Sequence, residues 1–408
     1  MIIHLFNSSS VSGPERLVLP PLSDMRGQFM IVNLLEERIP SLRRSDPLGE
    51  YSRSLELPYQ SVRVNGRWDR FAMGQLRSLW DQINPALVHA HDVKASIYLL
   101  QSNTRRSFPL VSTHHGVHGR PDWITRLYER IYRRYFLKSF DRVLCVSSDD
   151  YAFLLNSGVE ARRLRLHLNG ADGRPVASED REKQSKEIRE LWFPHAAERG
   201  RLFLFGALGR LSSEKDHARL FQVLSLVNRA YAREWRCLVF GSGPLEEALR
   251  RQVRSLGLEK RIVWMGYRKE AGAELCGVDL LLSFSKAEGL PISLIEAGWA
   301  GTPVMATSVG GVKDLIPDES YGNSVPVHEP AAESARRLGS FLLKDGVEKL
   351  RAQGKRFQER VTSKFTRKIW VDRLAVIYSE LNVKVARTEP ESPPWSSPTE
   401  VPVAIENA

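Results

Sequence analysis

At 408 residues the chain exceeds what one ordinary hydrophobic core organises, so two domains are expected. Hydrophobic residues make up 42% and charged residues 26%, an ordinary globular composition, and no run of 18 apolar residues offers a membrane-spanning helix. The formal net charge of +11 calls for an anionic partner, whether nucleic acid, an anionic membrane surface or a phosphorylated small molecule, and does not choose among them.

The chain opens on Met-Ile-Ile-His-Leu-Phe, a buried-strand pattern without the basic region and small-residue cleavage site of a signal peptide. Short apolar runs follow at Ile2–Phe6, Leu87–Ala90, Leu110–Thr113 and Val143–Ser147, then in a second series at Leu202–Leu208, Arg236–Phe240, Ile262–Met265, Leu280–Phe284 and Pro303–Thr307. Helical spacing fills Trp123–Phe140, His217–Ala232 and Leu245–Leu256 between them. Strands alternating with helices imply crossover units, hence parallel sheets covered on both faces: an α/β fold of two doubly wound, Rossmann-like domains facing a central cleft. Residues 1–173 read as the first domain, the charged stretch 174–201 as the junction and 202–365 as the second domain. A closing helix is expected over 366–385, then a Pro-, Ser- and Glu-rich disordered tail over 386–408. Cys145, Cys237 and Cys276 are scattered in apolar stretches, which reads as buried thiols in a reducing compartment, with the cytoplasm as the expected home.

Chemistry concentrates at strand ends. Glu288-Gly289-Leu290-Pro291-Ile292 follows the run Leu280–Phe284, and the residues after Pro291 have helical spacing. The glycine turn therefore sits at a helix N-terminus, where free N–H groups and the helix dipole favour an anion such as phosphate. Glu296 comes eight residues after Glu288, about two helical turns on, so the two carboxylates can meet distant parts of one ligand. Gly209-Arg210-Leu211-Ser-Ser-Glu-Lys215-Asp216 leaves the strand Leu202–Leu208 with two cations able to hold a diphosphate and stabilise charge growing on it. Gly241-Ser-Gly243 is a Gly-rich turn without the full dinucleotide fingerprint, which argues against a nicotinamide enzyme. In the first half, Gly13 follows the first strand and can admit a phosphate or acceptor to the backbone. Thr113-His114-His115-Gly116 ends another strand, and a histidine there can bond sugar hydroxyls or shuttle a proton. Asn169-Gly170-Ala171-Asp172 reads as a turn with positive φ at Gly170. The chain holds no Asp-x-Asp metal clamp, P-loop, His/Cys metal spacing or Gly-x-Ser-x-Gly elbow, so no metal and no cofactor are expected.

In the order of these motifs the chain resembles the retaining glycosyltransferases of family 4, which have the GT-B fold. The resemblance runs to about residue 382 and is most specific at Glu-Gly-x-Pro-x-x-x-x-Glu-Ala, which carries Glu288 and Glu296. It implies transfer of a hexose-type sugar from a nucleotide-diphosphate sugar, UDP-linked or GDP-linked, to a polysaccharide or lipid-linked acceptor, with the acceptor on the first domain and the donor on the second. By the same resemblance Glu296 holds the ribose, Arg210 and Lys215 hold the diphosphate, and Glu288 with the backbone of Gly289–Ile292 contacts the sugar and its phosphate. His115 lies near the anomeric centre, and the base rests near Met265-Gly266-Tyr267. Retention through front-face attack within an ion pair, with the leaving diphosphate taking the acceptor proton, is also implied. The chain departs from the family at Ser12-Gly13, where paired glycines are common, and at Asp216, where glycine usually follows the lysine motif.

Two rivals share the scaffold: a nucleotide-sugar epimerase and a non-catalytic nucleotide-sugar-binding protein. A nucleic-acid binder would need aromatic residues interleaved with a basic groove, and the sequence has no such strip. Arg126, Arg130, Arg133 and Arg134 cluster on one side of the Trp123–Phe140 helix, with Leu127, Ile131 and Tyr135 on an adjoining stripe. That pattern fits either a core-facing helix with a solvated basic side or peripheral docking on an anionic membrane.

Overall fold

The computed structural model describes residues 1–25, 28–37, 45–66, 68–103, 107–116, 130–173, 178–193 and 202–385. They divide into two compact units, with the boundary between Asn169 and Gly170 and a return to the first unit at Arg367.

The first unit is built on a seven-stranded sheet ordered β3-β2-β1-β4-β5-β6-β7, with every pairing parallel. Its strands are β1 (Ile2–Phe6), β2 (Phe29–Glu36), β3 (Tyr59–Val64), β4 (Leu87–Ala90), β5 (Leu110–His114), β6 (Arg142–Cys145) and β7 (Leu164–Leu166). Helices α1 (Gly13–Asp24), α2 (Pro47–Ser54), α3 (Arg70–Ile83), α4 (Val93–Ser102) and α5 (Ser148–Asn156) supply crossovers. Strands buried on both faces read as nearly continuous apolar runs, as β1 does but for the buried His4, because helices cover each side. The core gathers Ile3, Leu5, Val32 and Val88 from the strands with Leu76, Trp80 and Leu99 from the helices.

The second unit holds a six-stranded parallel sheet ordered β10-β9-β8-β11-β12-β13. Its strands are β8 (Phe203–Leu208), β9 (Trp235–Phe240), β10 (Ile262–Gly266), β11 (Leu280–Ser283), β12 (Val304–Thr307) and β13 (Asn323–Val325). Around them lie α6 (Ser178–Trp192), α7 (His217–Ala230), α8 (Glu246–Ser255), α9 (Ala271–Glu274), α10 (Ile292–Trp299), α11 (Val312–Leu315), α12 (Ala331–Phe341) and α13 (Lys344–Lys364). In both sheets the strand order reverses about a central pair, β1/β4 and β8/β11, and ligands in open parallel sheets bind beyond the carboxyl ends at that reversal.

Two expectations meet a different structure, and a third gains a location. The stretch 174–201, expected as a junction, carries α6 over its described part, and α6 belongs to the second unit. Two apolar anchors one turn apart explain this in a charged sequence: Ile188 and Trp192 both lie against Gly277, where a Cβ would come within 2.8 Å of each. Arg189 adds a bond to the Gly277 carbonyl at 2.9 Å and an ion pair with Asp279 at 2.7 Å. The closing helix is present as α14 (Arg367–Ser379) and belongs to the first unit. Its Tyr378 hydroxyl lies 2.7 Å from His89 Nδ1, the Trp370 carbonyl 3.0 Å from His167 Nε2, and Glu380 bonds Arg142 at 2.6 Å. Gly170 is not among the positive-φ glycines. Residues 386–408, expected as a tail, lie outside the described residues, as do Arg126 and Leu127; from Tyr132 the described part of that basic helix is a π-turn followed by a 3-10 turn at Leu137–Ser139.

Among the described residues no helix is long and apolar enough to cross a membrane. All three cysteines are buried and unpaired, and burial pushes each thiol up, Cys276 to about 11.

Candidate active site

The second unit brings four loops together at the carboxyl edge of its sheet. Each leaves a strand next to the β8/β11 reversal or one strand further out.

The loop after β8 turns at Gly209, with φ +154°, and Lys215 folds its aliphatic stem back over that glycine. Gly241, after β9, lies so close that a Cβ would stand 2.0 Å from the Gly209 carbonyl oxygen, and one on Gly243 would meet Leu211 at 2.5 Å. The Gly-x-Gly turn thus locks two loops together: Leu211 N–H donates to the Ser242 carbonyl and Leu245 N–H to the Leu211 carbonyl, both at 3.0 Å. Asp216, which stands where the family pattern has glycine, adopts the left-handed conformation at φ +45°. As the N-cap of α7 it accepts from Arg219 N–H, and its carboxylate pairs with Lys286 at 3.1 Å, so the aspartate keeps a glycine-like turn through its own bonds.

Glu288 is the centre of this arrangement. Its Oε1 accepts from Lys215 Nζ at 2.7 Å and from Ser285 Oγ at 2.6 Å, and its side chain is only 9% exposed. Ser285 is held in turn by Thr307, whose hydroxyl donates to the Ser285 carbonyl at 2.5 Å. The loop after β12 closes on the same place: Gly310, at φ +50°, leaves no room for a Cβ beside the Glu288 carbonyl, and Gly311 N–H donates to the Gly289 carbonyl at 2.5 Å. Gly289 and Leu290 are thereby fixed at the start of α10, whose N-cap is Pro291. The first N–H groups of that helix, at Ile292 and Ser293, stand outside its hydrogen-bond ladder, as at any helix start, and the helix dipole adds positive potential there.

Electrostatics follow from this packing. Burial pushes the Glu214 carboxyl up, but the Ser212 hydroxyl, backbone bonding and the Lys215 and Arg210 charges more than reverse it, leaving Glu214 below the ordinary carboxylate range. Burial, reinforced by the Lys215 charge, lowers His217 to about 4, so it is neutral at pH 7. Arg210 is exposed beyond the strand end, ready for an incoming anion. Glu296 sits about one turn into α10, its Cβ, Cγ and Cδ packed at 3.2–3.4 Å over the spot where Gly272 lacks a side chain. At the end of β10, Gly266 has φ +67° with nothing within 4 Å of where its Cβ would stand; the adjacent Tyr267 is 59% exposed.

Of the residues singled out from sequence, Arg210, Lys215, Gly243, Gly266, Glu288, Gly289, Leu290, Pro291, Ile292 and Glu296 all lie in the second unit, and Lys215 and Glu288 are in direct contact. Gly13 and His115 lie in the first unit, after β1 and β5. Gly13 opens α1, whose capping box joins Ser12 to Glu15, and the His115 ring stacks 5.8 Å from His91. Ser285, Thr307, Gly310 and Gly311 escape the sequence reading. Ser285 alone left a signal, three residues ahead of Glu288.

A second polar cluster is buried in the first unit. His4 Nδ1 lies 2.8 Å from His91 Nε2, and His89 lies 2.7 Å from both Tyr378 OH and Thr113 Oγ1. His4, His89 and His91 have ligand atoms within 4.8 Å of one another, the spacing of a metal cluster. Both nitrogens of His89 are already committed to hydroxyls, however, and the network ties α14 to strands β1 and β4.

Residues 188–360 match the family model described as "Glycosyl transferases group 1", and residues 36–173 match that described as "Glycosyltransferase Family 4". A crystal structure of HepE from Anabaena in complex with UDP superposes over 93% of this chain and 100% of its own, with a TM-score of 0.75 at 17% identity. The 2-deoxystreptamine glucosyltransferase of Streptomyces kanamyceticus is 35% identical over 28% of this chain and 30% of its own length. WcaL of Escherichia coli, a putative colanic acid biosynthesis glycosyltransferase, is 29% identical over 43% and 44%. The matched segments thus span less than half the length of these two relatives. Two doubly wound parallel sheets, the clustered Glu288 motif and both family matches place the chain in glycosyltransferase family 4, with the GT-B fold.

Proposed function

We propose that the chain transfers a hexose-type sugar from UDP to a saccharide or lipid-linked acceptor, with retention of configuration and without a metal ion. The observation that carries this reading is the Lys215–Glu288–Ser285 contact at the reversal of the second sheet, beside the open start of α10. Lys215 has three donor hydrogens and spends one on Glu288, so its ammonium can also take a phosphate oxygen. Arg210 and the N–H groups of Ile292 and Ser293 complete a positive pocket for the diphosphate, doing the charge neutralisation a bound cation would otherwise supply. Glu288 then faces the sugar hydroxyls and Glu296 the ribose. UDP is favoured because HepE has been crystallised with UDP and with UDP-glucose.

In the reaction the bond from the anomeric carbon to the diphosphate oxygen breaks, and the acceptor oxygen bonds the same face of that carbon. The acceptor proton passes to the departing phosphate oxygen, so no protein nucleophile is required. Lys215 and Arg210 act on the charge that accumulates on the leaving group, which is greater in the transition state than in the bound donor. His115 is the residue of the first unit assigned to the sugar near the reacting carbon. The site of action is the cytoplasm, at the inner face of the membrane where the acceptor is lipid-linked.

The experiment is a thermal-shift panel of UDP, GDP and ADP in EDTA, on wild type and Glu296→Ala. Stabilisation by UDP alone, lost in the variant, is the expected result. Stabilisation that needs a divalent cation overturns metal independence, and no stabilisation by any nucleotide overturns the donor site. The anomeric configuration of the product, read by NMR, tests retention.

A further inference from the structure

The amino edge of the first sheet, where β5 begins, carries a cavity of about 340 Å³ between the end of α4 and the π-turn at Tyr132–Phe136. Small-molecule sites start at about 300 Å³. Two side-chain amides line it. Asn103, the C-cap of α4, is 5% exposed, and its Oδ1 accepts from the N–H and the hydroxyl of Ser107, both at 3.3 Å. Those bonds set the orientation of the amide. They leave Nδ2, which is buried and has no hydrogen-bond partner among the described residues. Gln101 Oε1 is buried and unpartnered in the same sense. A donor and an acceptor buried two residues apart are costly unless something satisfies them. The remaining walls include Leu100, Leu110, Tyr135 and Phe136, with Tyr135 65% exposed at the rim. Both aromatics come from an i→i+5 turn, a geometry frequent at functional sites. None of the described lining residues is charged, so the cavity does not select an anion, despite the net charge of +11 on the chain.

We propose that this cavity binds a neutral sugar residue, apart from the site of transfer. Two neighbouring sugar hydroxyls supply what the amides lack, since each hydroxyl both donates and accepts. One oxygen takes the Asn103 Nδ2 hydrogen and the next gives its hydrogen to Gln101 Oε1. The apolar C–H face of the sugar ring then lies on the Tyr135 ring, which offers a large contact area at small conformational cost. His115 follows the opposite end of β5, roughly 15 Å away along the strand, so a sugar held here is not the one at the reacting carbon. The choice of a sugar rests on the reading of the acceptor as a saccharide; the open donor, the open acceptor and the lack of charge stand without it.

The test is saturation-transfer NMR on the full chain without nucleotide. The probes are methyl α-glucoside, methyl α-galactoside and methyl N-acetyl-α-glucosaminide, with cytosine as a planar base that presents the same donor and acceptor. At least one glycoside is expected to bind. Its Kd should rise about three- to tenfold in Tyr135→Ala and in Asn103→Asp, which keeps an acceptor for Ser107 but loses the donor. Tyr135→Phe should keep wild-type affinity, and Glu288→Gln should leave it unchanged. Circular dichroism checks the fold of each variant, and the exposed Tyr135 gives the decisive pair should Asn103→Asp fail to fold. Equal binding by Tyr135→Ala and wild type overturns the proposal, as does loss of binding in Glu288→Gln. Binding of none of the glycosides, or of cytosine alone, overturns it too. Nucleotide stabilisation is read separately: glycosides that fail to bind a chain still stabilised by UDP overturn this proposal and leave the donor site standing.

Discussion

Lowering the pH from 7 to 5 should destabilise the first unit through four imidazoles buried without charge. Burial lowers His4 to about 3 and His167 to about 4, and holds His89 and His91 well below the ordinary histidine range, the neighbouring imidazoles adding to it. The unfolded chain takes up protons at a pKa near 6.5, and the folded unit does not until far lower. A base whose folded pKa is depressed favours folding fully above the unfolded value and loses that contribution as pH falls from 6.5 towards 3–4. At pH 5 His4 and His167 each cost about 2 kcal/mol, about 4 kcal/mol together, and His89 and His91 act in the same direction. Asp92 works the other way, because burial raises it to about 6 and its proton uptake on acidification returns about 1 kcal/mol. The net of His4, His167 and Asp92 is a loss of about 3 kcal/mol, a large part of the stability of a typical domain. Scanning calorimetry at pH 7.5, 6 and 5 should show one transition falling steeply and broadening. His4→Asn should reduce its pH dependence by about 2 kcal/mol over this interval. A transition midpoint unchanged between pH 7 and pH 5 would mean that these imidazoles are hydrated or already charged in the fold.

Lys215→Ala should lower kcat by roughly 10²–10³-fold, as removal of a preorganised charge from a leaving group does, with a smaller effect on nucleotide affinity. Steady-state kinetics with saturating donor decides it, and a change confined to KM would contradict the assignment. Ser285→Ala removes one of two bonds to Glu288 Oε1. A hydrogen bond to a charged group contributes about 1.5–3 kcal/mol, so kcat/KM should fall by roughly tenfold to a hundredfold, with Ser285→Thr retaining more activity than Ser285→Ala. Gly310→Ala adds a Cβ where the Glu288 carbonyl already stands, at a positive φ. It should cost about 1–3 kcal/mol and lower the melting temperature of the second unit, together with loss of UDP-induced stabilisation. Wild-type melting and UDP response in that variant would show that the β12 loop does not fix Gly289.

The parallel sheets were legible because strands buried on both faces leave nearly continuous apolar runs. β1, β4, β8, β9 and β11 lie close to where such runs predict them. Strands β2 and β3 are harder to read. Asn33 interrupts β2, and only the fold shows that it is satisfied, by bonding Ser8 through both backbone groups. β3 is an edge strand with exposed Gln60, Ser61 and Arg63, so it lacks a continuous apolar run. Helix α6 was hidden by its charge: Ile188 and Trp192 seat it on Gly277, and neither residue changes the average polarity of its surroundings.

At the site, the residues legible in sequence are those whose side chains carry the chemistry, and the residues missed are those that hold them still. Glu288 and Lys215 announce themselves because a carboxylate and a cation at strand exits have few structural uses. Their 2.7 Å contact does not, since 73 residues separate them along the chain. What closes that distance is backbone: the Gly209–Gly241 approach, the Lys286 N–H bond to the Glu214 carbonyl at 2.8 Å, and the Gly310–Gly311 clamp. None of these requires a distinctive side chain, only the lack of a Cβ or a carbonyl facing the right way. Asp216 departs from the family pattern in sequence yet keeps its left-handed turn, so the spacing between Lys215 and α7 survives the substitution. A change that preserves φ and the cap is tolerated there, whereas Asp216→Val, which offers neither, should displace Lys215 from Glu288 and reduce turnover as Lys215→Ala does.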